Sequence, residues 1–569
     1  MTHTQIEINK INIHPVIKEL LLKRGYKEEN FEEFFSWNLR DLPDLTKLKD
    51  LEKTASRIIH AMENNEKIGI YGDYDVDGTT SCALFYQFFQ MHGIDVELFQ
   101  PSRFVEGYGI HPSSIENAIE KDVKLLITVD CGISNCETAE YALDRNIDLI
   151  ITDHHKDARE EMPRAYSIVN PNRRDEPESP LQALAGVGVA FAVCLQVKNM
   201  LDAKKSEPTP SIYPLLQYVA IGTICDMAHL NPMNLKLTRH GLKLITETEY
   251  KGVEAFFNDE DRKADFIPSE KISFYVGPLI NSKGRLDHPE KALNLLIAKD
   301  HKTAFENYSH LEISNRERKL IQNEVFNEAK KLVIKEIDRE DHLITVVYAP
   351  NWHEGVIGIV ASKLVETFGV PALVFSDSEE EGIIKASARS AGDLDLHALL
   401  KSCNDLFIKF GGHKAACGLS MPKENLYKLK DRLKENLKDV PPIIRTNQDY
   451  FDAEISFNDI STSLVRELDK MEPFGMGNDR PLLRMRDAKI DSFTLLKDVH
   501  VKWFFKGKNA NNKIQGISFY YIGKWNTPSP EELFQYQKED DLMIYFRIGI
   551  NRFRGNETIQ LMVEKIVKA

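Results

Sequence analysis

Three aspartates at alternate positions, Asp73, Asp75 and Asp77, stand in Tyr71-Gly-Asp-Tyr-Asp-Val-Asp-Gly78, directly after an apolar run beginning at Ile68. In an extended segment residues i, i+2 and i+4 point the same way, so the three carboxylates are expected to crowd one face at the end of a strand. Two like charges about 5 Å apart repel by roughly 3 kcal/mol at an effective dielectric of about 20, so such a cluster calls for a cation. A solvated acidic turn would look the same in isolation, but the pattern recurs. Leu125–Val129 runs into Asp130-Cys-Gly132, and Asp148–Thr152 runs into Asp153-His154-His155. Val219-Ala-Ile-Gly-Thr-Ile-Cys-Asp-Met227 reads as a helix from whose end Asp226 emerges. Carboxylates with one or two imidazoles suit Mn²⁺ or Mg²⁺ better than a structural zinc site, which would draw on Cys. The acids exceed what one ion needs. Two ions about 3.5 to 4 Å apart would serve phosphoester hydrolysis by activating a water and stabilising charge on the phosphate.

The elements that must position these groups are legible in outline. Strands near 68–71, 96–100, 125–129 and 148–152 alternate with helical patterns, which predicts an open parallel sheet covered on both faces. Ligands collect outside the carboxyl ends of such strands, where Asp73, Asp75, Asp77, Asp130 and the His pair fall by sequence order.

Asp73-Tyr-Asp-Val-Asp-Gly78, Val129-Asp-Cys-Gly132 and Asp153-His-His155 are similar to the successive signatures of the DHH phosphoesterases. Pro101-Ser-Arg-Phe-Val-Glu-Gly-Tyr-Gly109, Trp352-His-Glu-Gly-Val-Ile-Gly-Ile-Val-Ala-Ser362, Phe410-Gly-Gly-His413 and Glu472-Pro-Phe-Gly-Met-Gly-Asn478 resemble the branch of that family that degrades single-stranded DNA. The match runs in order from Val16–Gly25 to about residue 480. This resemblance implies 5′ to 3′ exonuclease action on single-stranded DNA, in repair and recombination, with two divalent ions, Mn²⁺ or Mg²⁺. It makes Asp75, Asp77, Asp130, His154 and Asp226 the metal ligands, with Asp130 bridging and Asp73 completing the first ion's shell. At the same catalytic centre it gives His155 a phosphate contact or supporting hydrogen bond and Asp153 the task of orienting its neighbours. Arg103, Tyr108, Arg285, Ser387, Arg389, Gly411, Gly412 and His413 are implied to hold the strand's terminal phosphate or scissile nucleotide. Smaller members carry a His four residues before the middle acid; here that position is Tyr71, a departure that bears on the first ion's coordination.

The resemblance also sets the expected fold class: an α/β protein whose parallel-sheet DHH catalytic domain joins through a long helix to a second α/β domain, followed by an OB-like β-barrel. The corresponding boundaries are 1–58 for an N-terminal helical segment, 59–300, 301–338, 339–445 and 446–569. In the long helix, Leu311, Ile321, Val325, Phe326, Leu332 and Val333 make a narrow apolar stripe, and Asn315, Arg316, Arg318 and Lys319 are placed to line a substrate cleft. In the barrel, Trp503, Phe505 and Tyr520 or Tyr521 are candidates to stack bases, with Lys506, Lys508, Arg552 and Arg554 tracking phosphates. Asn170–Pro180 reads as an exposed loop, and Ala185-Gly-Val-Gly188 as close helix packing rather than a phosphate loop.

Composition argues against a generally basic nucleic-acid binder, since the 569-residue chain has a formal net charge of −14. Residues 481–569 nevertheless carry about +5, leaving about −19 for the rest, the asymmetry of a local phosphate-binding face. Seven cysteines at irregular spacings suggest reduced thiols. No signal-peptide pattern stands at the start and no apolar stretch is expected to reach membrane-spanning length, so a cytoplasmic protein with no membrane contact is predicted. A monomer is expected because no oligomer seam appears. Kinship makes a single-strand-binding protein and a helicase plausible partners. Two other functions fit parts of the pattern: a phosphodiesterase for short oligonucleotides or cyclic dinucleotides, which leaves the basic C-terminal region unexplained, and a non-catalytic replication scaffold, which would not need the acids.

Overall fold

The computed structural model describes residues 13–101, 107, 109–156, 161–204, 207–283, 290–337, 342–446, 450–507, 512–538, 541–553 and 556–569. They form two compact units: the chain up to Asn315 together with Arg466–Arg480, and Arg316–Val465 together with Pro481–Ala569.

The first unit is built on a parallel sheet of β1 (Ile68–Gly72), β2 (Val96–Phe99), β3 (Leu125–Val129), β4 (Asp148–Thr152) and β5 (Ser167–Val169), in the order β2-β1-β3-β4-β5. Their β-branched apolar runs bury both faces, as a sheet covered by helices requires. Ile68, Ile70, Leu125, Ile127, Val129 and Ile150 enter one core, while Leu126, Leu149 and Ile151 enter the other. Strand β5 has three residues, too short to stand out in the sequence. The winding direction reverses between β1 and β3, which opens a crevice at their carboxyl ends. Helices Val76–Met91, Gly186–Lys204 and Leu216–Cys225 pack on the larger core. The Gly186–Lys204 helix is long and apolar enough to cross a membrane by length and composition, against the expectation that no stretch reaches that length; most of it is buried in this core.

The long helix spans His301–Glu336. In its stripe Leu311, Val325 and Val333 are buried, and Ile321, Phe326 and Leu332 pack beside them. Asn315 and Arg318 are buried whereas Arg316 and Lys319 are exposed, so these four do not line one surface as expected; helical periodicity sends them to different faces.

The second unit holds β6 (Thr345–Tyr348), β7 (Ala372–Asp377), β8 (Ile383–Arg389), β9 (Lys409–Gly412) and β10 (Ala416–Pro422), ordered β6-β7-β8-β10-β9. Only β6 and β7 pair in parallel. A further sheet contains β11 (Ala453–Glu454), β12 (Leu483–Met485), β13 (Ala488–Leu496), β14 (His500–Gly507), β15 (Lys513–Ser518), β16 (Leu542–Phe553) and β17 (Asn556–Lys568). Here the aromatic expectation needs correction: Trp503, Phe505 and Tyr521 are buried, leaving Tyr520 exposed at 73%. Strand alternation turns Val501, Trp503 and Phe505 inward together, and Trp503 Nε1 donates to Ser518 Oγ at 2.9 Å. Of the proposed basic residues, Lys506 is exposed, while Lys508, Arg554 and the Arg552 side chain lie outside the described residues. Trp503→Ala is therefore expected to destabilise this sheet by about 3 to 5 kcal/mol in denaturant unfolding, and Tyr520→Ala to stay within about 0.5 kcal/mol.

Candidate metal centre

The carboxylates converge by a different route from the one their spacing predicted. Strand β1 ends at Gly72, and Asp75 is already the N-cap of the Val76–Met91 helix, its Oδ1 accepting the Gly78 N–H at 3.0 Å. A sharp strand-to-helix turn, rather than alternation along an extended strand, gathers Asp73, Asp75 and Asp77, because an aspartate that caps a helix satisfies an otherwise open N–H. Gly78 permits the turn: a Cβ there would lie 2.5 Å from the Asp73 carbonyl oxygen. Asp130 follows β3 with φ at 58°, a left-handed conformation costing roughly 1 to 2 kcal/mol. Asp226 caps the Leu216–Cys225 helix.

Three groupings result, each with donor atoms within 4.8 Å of one another: Asp73, Asp75 and Asp130; Asp77, His154 and Asp226; and Asp130, His154 and His155. His154 Nε2 stands 3.2 Å from Asp130 Oδ1 and 3.8 Å from both Asp77 Oδ2 and Asp226 Oδ2. It is buried there without a hydrogen bond among the described residues, while the His154 ring also bonds to the Leu184 backbone. Tyr71, in contrast, belongs to the smaller core and donates its hydroxyl to the Gly109 carbonyl at 3.0 Å.

Several supports escaped the sequence. Asp77 accepts the Gly186 N–H at Oδ2 (2.6 Å) and the Val187 N–H at Oδ1 (2.9 Å), so the N-terminus of the Gly186–Lys204 helix grips both its oxygens. The close packing expected of Ala185–Gly188 is present, but it packs against the acids themselves: a Cβ at Gly186 would lie 2.8 Å from Asp130 Cβ. Asp153 accepts the backbone N–H groups of His154 (2.7 Å), His155 (3.0 Å) and Ile133 (2.9 Å), and its Oδ1 lies 2.8 Å from His155 Nδ1. Asn170 and Asn172 donate their amides to the His155 and His154 carbonyls, at 2.9 and 2.7 Å. The segment read as an exposed loop is thus partly buried: Asn170 is enclosed, and Arg173 is pinned to the Ile168 carbonyl, Asp50 and Asp175. The Asn-Pro-Asn run was the available signal, since short amide side chains commonly bond nearby backbone.

Burial and mutual repulsion dominate the electrostatics. Burial, reinforced by Asp226 and Asp75, pushes Asp77 well above the carboxylate range; burial and the neighbouring acids do the same to Asp130. Burial and Asp75 lift Asp226 to about 7. Burial lowers His154 to about 4. Burial also disfavours a charged His155, yet the Asp153 hydrogen bond and the surrounding acids raise it to about 9, so it is cationic at neutral pH. Asp153 itself stays below its ordinary value despite burial, because His155 and the backbone N–H groups stabilise its charge.

These shifts fix a pH dependence. Folded Asp77, Asp130 and Asp226 hold protons that the unfolded chain has released, so the metal-free protein loses stability as pH rises from the ordinary carboxylate range through about 7. His155 acts in the same direction between its ordinary 6.5 and about 9. A divalent cation competes with those protons. Thermal melts with and without Mn²⁺ are expected to show a metal-induced rise in melting temperature that grows from pH 6 to pH 8.

Of the remaining expected residues, Arg103, Tyr108 and Arg285 lie outside the described residues. In the second unit Ser387, Arg389 and Gly411 share one sheet face. Ser387 on β8 pairs with Gly418 on β10, which pairs with Gly411 on β9, so the three share a face. A Cβ at Gly411 would meet nothing within 4 Å, and one at Gly418 only the Ala386 carbonyl at 3.9 Å, leaving bare backbone beside Ser387. Gly418 was not foreseen. Arg389 lies two residues from Ser387 on the same face of β8. Gly412, at φ 143°, leads into the turn in which His413 N–H donates to the Ala416 carbonyl at 2.9 Å.

Carboxylates and two imidazoles gathered at the switch point of a parallel sheet, with no thiol in these groupings among the described residues, describe a hard-metal phosphoesterase centre. Residues 67–223 match the DHH family N-terminal domain, 341–439 the DHHA1 domain and 451–565 the RecJ OB domain. The single-stranded-DNA-specific exonuclease RecJ of Haemophilus influenzae is 30% identical across 98% of this chain and 97% of that protein. Its Bacillus subtilis counterpart is 30% identical across 98% of this chain and 68% of that protein. The crystal structure of Thermus thermophilus RecJ with Mn²⁺ superposes with a TM-score of 0.78 at 24% identity, covering 98% of this chain and 76% of that one. A second structure, of exonuclease RecJ bound to manganese, has a TM-score of 0.58 at 29% identity over 70% of this chain and 96% of that one. The chain belongs to the RecJ family of DHH phosphoesterases.

Proposed function

We propose that this protein is a metal-dependent exodeoxyribonuclease that removes nucleotides from single-stranded DNA in the 5′ to 3′ direction, in DNA repair and recombination. The observation that carries the reading is the convergence of five carboxylates on His154 and His155 in one crevice. The residues fit divalent ions: His154 Nε2 is buried, has no hydrogen bond among the described residues and faces three carboxylates, and the donors are oxygen and imidazole nitrogen. Asp73 and Asp75 would hold one ion and Asp77, His154 and Asp226 another, with Asp130 shared. Bound there, two divalent cations supply an activated water and charge stabilisation at phosphorus.

The chain's own groups do the positioning. Gly186 and Val187 fix the plane of the Asp77 carboxylate, and Asn170, Asn172 and Asp153 fix the His154-His155 backbone. His155, half-exposed, contacts the scissile phosphate, with Asp153 holding its Nδ1 side. Ser387 and Arg389, beside bare glycine backbone, bind phosphate by hydroxyl and guanidinium. All seven cysteines are unpaired, as in a reducing cytoplasm. A monomer that cooperates with a single-strand-binding protein and a helicase is proposed on kinship alone.

The test is hydrolysis of a 3′-labelled single strand, beside its duplex form, with Mn²⁺ or Mg²⁺. Progressive shortening of the single strand from its 5′ end, stopped by chelation, is expected. Dinucleotides cleaved while the long strand stays intact would replace this reading with a small-substrate phosphodiesterase, and no hydrolysis at all would favour a scaffold.

A further inference from the structure

The acids of the centre are not held equally. Asp77 is gripped by two backbone N–H groups, Asp75 by one and Asp153 by three. The Asp226 carboxylate accepts no hydrogen bond among the described residues, so its position depends on the turn from which it projects. Met227 in that turn has φ at 59°. On one side the turn is tied to the stretch that leads into Leu184 and Gly186. Asn231 donates its amide to the Pro180 carbonyl at 3.0 Å, and Asn234 donates to the carbonyls of Ala183 (2.6 Å) and His229 (2.9 Å).

On the other side it meets the Glu472–Asn478 loop, a motif so far without a task. The Leu230 N–H donates to the Met476 carbonyl at 2.8 Å. A Cβ at Gly475 would lie 2.9 Å from Leu230 Cδ1, and one at Gly477, whose φ is 78°, only 2.4 Å from His229 Nε2. The loop is rigidly made. Asn478 is buried and donates its amide to the carbonyls of Met471 and Pro473, both at 2.8 Å. Glu472 accepts Ser269 Oγ–H at 2.7 Å, Phe474 N–H at 3.0 Å and an Arg480 N–H at 2.9 Å. Arg239, on the helix that starts at Pro232, donates to the Glu472 carbonyl at 2.8 Å.

We propose that the Glu472–Asn478 loop is a positioning element of the metal centre: by clamping Leu230 it fixes the turn that carries Asp226 and so sets the affinity for the divalent ion. Only three residues separate Asp226 from Leu230, so a loosened Leu230 leaves Asp226 free to swing away from His154 and Asp77. The proposal rests on the reading of Asp226 as a ligand.

The test is calorimetric titration of the full-length chain with Mn²⁺, beside melting without metal. Asn478→Asp removes both amide donors and places a carboxylate against two carbonyls; it is expected to weaken Mn²⁺ binding about tenfold, the size of effect seen when the partners of a ligand are altered. Half-saturation of activity by Mn²⁺ should rise in parallel, with kcat at saturating Mn²⁺ little changed. Thr54→Val, which breaks the buried Thr54–Ser167 hydrogen bond of 2.7 Å in the same unit, should lower the melting temperature and leave Mn²⁺ binding as it was. If Asn478→Asp does not fold, Ser269→Ala reads the same loop through its Glu472 contact. Unchanged Mn²⁺ binding in the loop variant, with binding impaired in Asp226→Asn, overturns the positioning role. Unchanged binding in Asp226→Asn removes the ligand reading itself, and the loop's role with it.

Discussion

Asp130→Asn is expected to lower kcat on single-stranded DNA by about a thousandfold or more, a loss of roughly 4 kcal/mol in the transition state, while raising the melting temperature of the metal-free protein. Both effects have one origin. Asp130 groups with Asp73 and Asp75, and its Oδ1 stands 3.2 Å from Nε2 of His154, which groups with Asp77 and Asp226, so neutralising it is expected to weaken both proposed ion positions at once. The same side chain is buried among Asp77, Asp75, Asp73 and Asp153, whose repulsion contributes to its raised pKa. Without a cation the fold must keep this carboxyl protonated at neutral pH while the unfolded chain ionises it, and asparagine removes that cost. Asparagine keeps the volume and tolerates the left-handed backbone at 58°. Single-turnover rates and metal-free melting curves measured on the same preparation check both halves. A variant equally active, or less stable without metal, would speak against a shared carboxylate.

The second large effect is expected at a residue with no chemistry of its own. Gly186→Ala would place a methyl group 2.8 Å from Asp130 Cβ and 3.0 Å from its Oδ1, inside van der Waals contact. Either Asp130 yields, or the helix end withdraws and Asp77 loses the two N–H groups that orient it. Displacements on the 1 Å scale commonly cost about a hundredfold in rate, and that is the expected fall in kcat, with a higher Mn²⁺ requirement. Gly188→Ala is the control. Its Cβ would meet Leu184 Cδ2 at 2.8 Å, the movable end of a side chain, and its activity should stay within a few-fold of the parent. Steady-state kinetics across a Mn²⁺ series separates the two.

These two residues mark what the sequence could and could not disclose. Strands β1, β3 and β4 were visible because a run such as Leu125–Val129, buried on both faces, is continuous in apolar residues and ends in the acid it delivers. The ligand types were visible for the same reason. The route by which Asp73, Asp75 and Asp77 meet was not, since capping by Asp75 overrides the strand alternation its spacing suggests. The supports were hidden by distance along the chain: Gly186 meets Asp77 across 109 residues, and Ser269 meets Glu472 across 203. No local pattern records such contacts. Trp503 and Phe505 show a different limit, because alternation separates the two faces of a strand without saying which one a closed domain turns inward.

Anomalous diffraction from crystals of the full-length protein grown with Mn²⁺ tests the central claim most directly. The account predicts two manganese peaks about 3.5 to 4 Å apart, one among Asp73, Asp75 and Asp130 and the other among Asp77, His154, Asp226 and the same Asp130. Manganese bound away from Asp130, or none in the crevice at saturating concentration, would contradict it.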